Sequence, residues 1–190
     1  MHSASALLLT EQWLTILSNL GRASATIKAY RSALTHFFAF CEIHDIAPER
    51  ASFEDIAGYI RPQLPDMPSS VASATLQLRL SALRLWYDFL VYQDICSLNP
   101  LPRSGLPGAI YTGRGLIPRI NRLPVIPDDG EWLRFLKHVS AAPLRDRLML
   151  ALAYYGALRR TEVTALRLED IDLAHRLIRI RAETTKNRRE

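Results

Sequence analysis

The chain has 190 residues, 48% of them hydrophobic, with 24 Lys+Arg against 19 Asp+Glu for a net charge of +5. That length buries one large core or two small ones, and the composition excludes collagen-like, low-complexity and disordered classes. Two cysteines without metal-ligand spacing, a start without a basic leader region, and no apolar run of about 18 residues exclude a disulfide scaffold and a membrane span; the sequence reads as a soluble cytoplasmic protein without metal or cofactor.

Four helices are expected in the first hundred residues. Thr10 caps a first helix in which Trp13, Leu14, Leu17 and Leu20 recur at helical spacing, and Gly21 ends it. Ser24 caps a second, with Ile27, Tyr30, Leu34, Phe37 and Cys41 in one stripe and Lys28, Arg31, Thr35 and His36 off it. Ser52 and Asp55 stand at capping-box spacing before a short helix carrying Ile56, Tyr59 and Ile60. The fourth, SATLQLRLSALRLWYDFLVYQ, bears Leu76, Leu80, Leu83, Tyr87 and Leu90 on one face and a second stripe in Leu78, Leu85 and Phe89, which makes it central to a bundle. Gln77, Arg79, Arg84 and Asp88 form its remaining surface, and it stops at Asn99, where Pro100 disfavours helical geometry.

From Leu101 to Pro127 the chain holds five prolines and four arginines and no acid. This composition marks a linker, longer than the usual connection inside a compact domain. Residues 1–102, 103–127 and 128–190 are therefore expected to be a helical domain, a basic linker and a second domain, although arginines scattered along a plain tether would look the same. Charge divides at the same place. Residues 1–102 hold 7 Lys+Arg against 9 Asp+Glu, net −2, and residues 103–190 hold 17 against 10, net +7. An anionic partner such as nucleic acid fits the second part.

That part opens with PLRDRLMLALAYYGALRRTEVTALRLEDIDL, a helix, a small turn at Gly156 and Ala157, and another helix; Tyr154 and Tyr155 lie in the apolar stretch and read as core. The pair Arg159 and Arg160 also suits plain solvation or contact with terminal carbonyls. RRTEVTALR behind LMLALAYY further resembles a helix-turn-helix segment. In RLIRIRAETTKNRRE, Ile178 and Ile180 alternate with Arg179 and Arg181 in the period of a half-exposed strand, and ETTKN follows as a turn or a hairpin's second arm.

SATIKAYRSALTHFFAFC, then SATLQLRLSALRLWYDFL and NP, resembles the core-binding domain of tyrosine recombinases, the phage integrase family: a Thr and a Tyr four apart on one helix, then LSALR followed by aromatics. The resemblance implies a mainly α fold: an N-terminal SAM-like four-helix core-binding bundle, a basic linker, and a truncated α+β catalytic domain ending in a β-hairpin. It also implies a bundle that closes over one face of double-stranded DNA, with Lys28, Arg31, Arg79 and Arg84, together with Arg114, Arg119 and Arg122 of the linker, as candidate phosphate contacts.

In the second domain the same resemblance assigns Arg159 as the first catalytic arginine, with Glu162 opening the following helix and Arg160 where the family more often has an apolar residue. The chemistry suits it independently. Metal-free cleavage of a phosphodiester needs fixed positive charge on both non-bridging oxygens, which a guanidinium supplies as two parallel donors, and an adjacent helix start adds backbone N–H groups. Lys186, in KNRRE, matches the family's lysine-bearing turn, which implies a general acid toward the departing 5′-oxygen; a lysine in a basic turn is otherwise simply solvated.

The family's His-x-x-Arg box and its tyrosine nucleophile belong beyond this hairpin, and all seven tyrosines here precede Arg159. The expectation is therefore the front part of a recombinase, inactive alone and monomeric, whereas the family acts as a tetramer on DNA. The alternatives are a non-catalytic DNA-binding module that competes for sites and a helical protein-interaction domain. Truncation would leave Trp132, Phe135, Leu136, Leu148, Leu152, Val163, Leu166, Ile178 and Ile180 short of partners, so the first hundred residues are expected to fold alone and the remainder not.

Overall fold

The computed structural model describes residues 2–101, 117 and 124–185, and the chain divides into two compact units, Met1–Arg122 and Leu123–Glu190. The first is a bundle of α1 (His2–Asn19), α2 (Ser24–Ile43), α3 (Phe53–Ile60) and α4 (Ser73–Tyr92), with short 3-10 turns at Pro48–Arg50 and Arg61–Gln63.

Thr10 does not cap α1. The helix runs through it, and its buried hydroxyl donates to the Ala6 carbonyl at 2.8 Å, a local bond that satisfies the side chain without breaking the helix. At the other end Gly21 sits at φ 78, with Arg22 N–H on the Leu17 carbonyl at 3.0 Å and Gly21 N–H on that of Ser18 at 2.9 Å, a Schellman exit that favours glycine. Ser24 is the first residue of α2 and not its cap; Ala23 holds the capping position and offers no side-chain acceptor. The Ser52–Asp55 box forms as its spacing predicts, with Ser52 N–H on Asp55 Oδ2 at 2.8 Å and Asp55 N–H on Ser52 Oγ at 3.2 Å.

The stripes of α2 and α4 meet in the core. Leu34, Phe37 and Cys41 are buried with Leu76, Leu80, Leu83, Trp86, Tyr87 and Leu90, and the aromatics pack edge-on, Phe37 to Tyr59 at 5.1 Å and Phe38 to Trp86 at 5.2 Å. Leu85 and Phe89 of the second α4 stripe are partly buried, while Leu78 is exposed. α4 ends at Tyr92, well before Asn99, because Asp94 turns the backbone into the left-handed region at φ 55. Asn99 then ties the returning chain down: its Nδ2 donates to the Arg84 carbonyl at 2.9 Å and to Asp88 Oδ1 at 2.8 Å, and its Oδ1 accepts Leu101 N–H at 2.8 Å. Leu101, and Ile117 from within the proline-rich stretch, join the same core.

The second unit contains α5 (Asp129–Ala141), α6 (Leu144–Tyr155), α7 (Arg160–Ala165), β1 (Ile171–Asp172) and β2 (Leu177–Ile178), with 3-10 turns at Leu168–Asp170 and Ala182–Thr184. The strands pair antiparallel, Ile171 with Ile178 and Asp172 with Leu177. The strand expected through Ile180 is shorter than its alternation, and Glu183 and Thr184 lie in a 3-10 turn and not in a second arm. Tyr154 and Tyr155 are not core: they are 60% and 83% exposed, with Tyr154 packed on the Trp132 ring at 4.9 Å. α5 and α6 bury no residue among those described, since two short helices present each other too little surface to enclose a side chain. Among the described residues the chain is mostly helical with one small antiparallel sheet, and no helix is long and apolar enough to cross a membrane.

Candidate functional site

Gly156 ends α6 where a Cβ would lie 2.7 Å from the Leu152 carbonyl oxygen, so a larger residue cannot occupy the turn without moving the backbone. Ala157 follows at φ 51, and Arg159, in extended conformation, occupies the position just before α7. Glu162, one turn into that helix, takes hold of it twice: Arg159 N–H donates to Oε2 at 2.7 Å and Nη1 donates to Oε1 at 2.9 Å. The Glu162 side chain is only 6% exposed while that of Arg159 is 65% exposed, so a fixed carboxylate anchors a guanidinium whose remaining donors face outward. The Arg159 backbone N–H, and after it the guanidinium, hold the Glu162 carboxyl below its ordinary value. A fork held this way is suited to two oxygens of a phosphate. Arg160 is exposed and has no ion pair among the described residues. The six residues of α7 span roughly 9 Å, short for a recognition helix laid in a major groove.

A second buried carboxylate organises the segment after α7. Asp170 Oδ2 accepts Arg167 N–H at 2.8 Å and lies 3.3 Å from Arg181 Nε, and the Asp170 carbonyl accepts Arg179 N–H at 2.8 Å. Arg181 also donates through Nη2 to the Ala165 carbonyl at the end of α7. Its side chain is 18% exposed. The alternation that predicted a solvated Arg181 therefore fails: the arginine turns inward to pair with Asp170. Sequence reasoning passed over this tie, whose local signal was an Asp three residues after Arg167, the spacing of a capping carboxylate. Lys186 lies outside the described residues.

The candidate cations of the first unit differ in how they are engaged. Lys28 is exposed, with no ion pair among the described residues. Arg31 forks onto Glu11, Nε to Oε1 at 2.9 Å and Nη2 to Oε2 at 2.7 Å. Arg79 donates to the Gln63 side chain. Arg84 reaches the Leu101 carbonyl at 3.3 Å and so helps fasten the chain after α4. Arg114, Arg119 and Arg122 lie outside the described residues. Burial pushes the Cys41 thiol up to about 12, an unreactive core group. Among the described residues no cluster of His, Cys, Asp and Glu is arranged to hold a metal ion.

Comparison with known proteins gives matches in the same order along the chain. A family model described as the phage integrase N-terminal SAM-like domain matches residues 10–94, and one described as the phage integrase family matches residues 128–190. Tyrosine recombinase XerC of Thermodesulfovibrio yellowstonii is 27% identical over 168 residues, which cover 88% of this chain and 52% of that protein. XerC of Mycobacterium sp. strain KMS is 28% identical over 174 residues, 88% and 55% of the two chains, and XerC of Xanthomonas axonopodis pv. citri is 33% identical over 120 residues, 62% and 36%. The chain thus spans about half the length of the first two of these relatives. Among solved structures, the integrase from mycobacterium phage Brujita aligns with a TM-score of 0.43 at 20% identity, covering 89% of this chain and 52% of that one.

Proposed function

Because the chain belongs to the phage integrase family, matched by its two models in succession along the chain, we propose that it is the DNA-binding, amino-terminal portion of a site-specific tyrosine recombinase. The homology covers the N-terminal domain and part of the catalytic domain. The observation that carries the reading is Arg159, fixed by Glu162 and open to solvent inside the stretch matched to the integrase model. In this reading Arg159 stabilises the charge that gathers on a scissile phosphate, and Lys186 protonates the leaving 5′-oxygen. Lys28, Arg31, Arg79 and Arg84, with Arg114, Arg119 and Arg122, contact backbone phosphates of duplex DNA in the cytoplasm. This polypeptide acts as a monomer, and a recombinase containing it acts as a tetramer.

Duplex binding across a salt series tests the first half of this reading. Affinity falls steeply with salt, and each phosphate contact removed by substitution lowers the log–log slope by about one. Binding that ignores ionic strength, or no binding at low salt, overturns it. For the chemistry, every tyrosine of this polypeptide precedes Arg159, so incubation with a nicked suicide duplex yields no denaturant-resistant adduct. In a recombinase that contains this segment and a later tyrosine, Arg159→Ala suppresses cleavage and leaves binding nearly intact, while Arg160→Ala does much less. The reverse order would shift the catalytic assignment by one residue.

A further inference from the structure

Four polar side chains of the first unit link α2, α3, the turn after it and α4. Tyr59, 1% exposed, meets His36 Nδ1 through its hydroxyl at 3.0 Å. Gln63, 3% exposed, donates Nε2 to the Tyr59 carbonyl at 2.6 Å and accepts Arg79 Nη1 on Oε1. Burial pushes the Tyr59 phenol up to about 12, so it remains an O–H that can pair with Nδ1 in either tautomer of His36. His36 is exposed and Arg79 half-buried. Burial, and then the positive charge of Arg79, hold the His36 imidazole below its ordinary value, so the imidazole lies in the field of the guanidinium.

The partner chosen for Arg79 carries the argument. Arg31, on the neighbouring helix, is matched by a carboxylate, so its charge is offset within the protein. Arg79 instead meets a buried amide, which fixes the direction of the guanidinium and leaves its whole charge for something outside. Among the described residues, no carboxylate bonds to Arg79 or to His36. Two donors on neighbouring helices, braced from beneath and lacking a counter-ion, fit an anion.

We propose that His36 and Arg79 form a phosphate subsite for the DNA backbone on the α2–α4 surface, with Tyr59 and Gln63 as the positioning residues beneath it. The proposal rests on the DNA-binding reading above and adds to it a residue, His36, whose charge follows pH. The groups facing His36 are Arg79 from α4 and Tyr59 from α3. A seated phosphate cancels the repulsion from Arg79, and the imidazole takes up a proton. Affinity therefore rises as pH falls through the interval between the free and the occupied imidazole.

The test is fluorescence anisotropy of the full chain with a labelled duplex, from about pH 8 to about pH 5.5 at fixed low ionic strength. Wild type binds roughly three- to tenfold tighter at the acid end, and His36→Gln removes that gain while the responses of the other histidines remain. Arg79→Ala weakens binding about tenfold at every pH and lowers the salt slope by about one. Gln63→Leu, with its fold checked by circular dichroism, weakens binding several-fold with the charge count unchanged. Because a substitution at a buried position can unfold the bundle, Arg79→Lys serves as the second variant: it keeps the charge, loses the fork, and is weakened likewise. If the wild type binds DNA but His36→Gln keeps its full pH response, or Arg79→Ala binds as tightly as wild type, the subsite is refuted and the DNA-binding reading stands. If the wild type does not bind at all, both fall together.

Discussion

In the first unit the fully buried side chains include Trp86, Tyr59, Tyr87, Phe37, Leu34 and Leu83; in the second, among the described residues, the buried side chains are two carboxylates, Glu162 and Asp170. Leu133, Leu144 and Tyr155 of the second unit are 65%, 76% and 83% exposed. The bundle is thus held by removal of apolar surface from water, a non-directional and cooperative force. The second unit draws its local geometry from charge-assisted hydrogen bonds, which are directional and reach only a few residues. The difference teaches that an arginine can be aimed by one carboxylate at a helix start without a hydrophobic core around it. It also locates where each unit fails when perturbed.

The largest effect belongs to the bundle core. Phe37→Ala and Trp86→Ala each remove a ring with no exposed surface and cost about 3–5 kcal/mol, enough to unfold most small domains. Leu148→Ala, at a position already 54% exposed, costs under about 0.5 kcal/mol. Urea titrations followed by far-ultraviolet circular dichroism compare them directly. A Leu148→Ala loss as large as that of Phe37→Ala would mean that the second unit owns an apolar core after all.

Native-state hydrogen exchange sharpens the same contrast without mutation. Amides of α2 and α4 open only when the bundle unfolds, whereas those of α5 and α6, which bury no residue among those described, open locally. The expected ratio of protection factors is roughly a hundredfold or more, with protease cuts falling in the second unit first. Uniform protection across both units would break the comparison.

Acid distinguishes the two kinds of cohesion next. Arg159 holds the folded Glu162 carboxyl below its ordinary 4.5, chiefly through its backbone N–H. The stabilisation is therefore complete above that value and is lost as pH falls through the folded one. Asp172, bonded by the backbone N–H and the ring of His175, follows the same sign. The Arg159 amide resonance should titrate in this acid range and lose that titration in Glu162→Gln, while amides of α4 stay put. Movement of α4 amides in the same range would tie the bundle to these carboxylates.

The legibility of the sequence divides along these same forces. The stripe Leu34, Phe37, Cys41 and the face Leu76, Leu80, Leu83, Tyr87, Leu90 were readable because core burial repeats with the helical period, and the Ser52–Asp55 box because both partners lie within one turn. Thr10 misled because a threonine satisfied by the carbonyl four residues back looks like a cap in the bare sequence. Tyr154 and Tyr155 misled because an apolar run predicts burial only if something is there to bury it. In the candidate site, Arg159 is legible through the resemblance of its small turn and following Glu to the family's arginine-bearing stretch, but the inward turn of Arg181 onto Asp170 and the chain from His36 to Arg79 join residues far apart in sequence. No periodicity encodes such pairings.

The smallest effect tests how the bundle spends its surface charge. Arg31 and Glu11 form a forked pair with side chains 46% and 55% exposed, and the hydrogen bond from Arg31 is the first cause holding the Glu11 carboxyl below its ordinary value. Exposed pairs of this kind contribute only about 0.2–1 kcal/mol, so Glu11→Gln leaves the bundle folded and nearly as stable. For DNA the same change acts in the opposite direction, because it frees the Arg31 fork and removes a negative charge beside it. Duplex affinity at low salt should rise roughly two- to fivefold, and shrink toward wild type at about 0.2 M salt as screening shortens the reach of the charge. Adding Arg31→Ala should abolish the gain, which separates release of Arg31 from a general change in net charge. An unchanged or weaker affinity in Glu11→Gln would place Arg31 off the DNA-facing surface and leave that surface to Lys28, His36 and the α4 arginines.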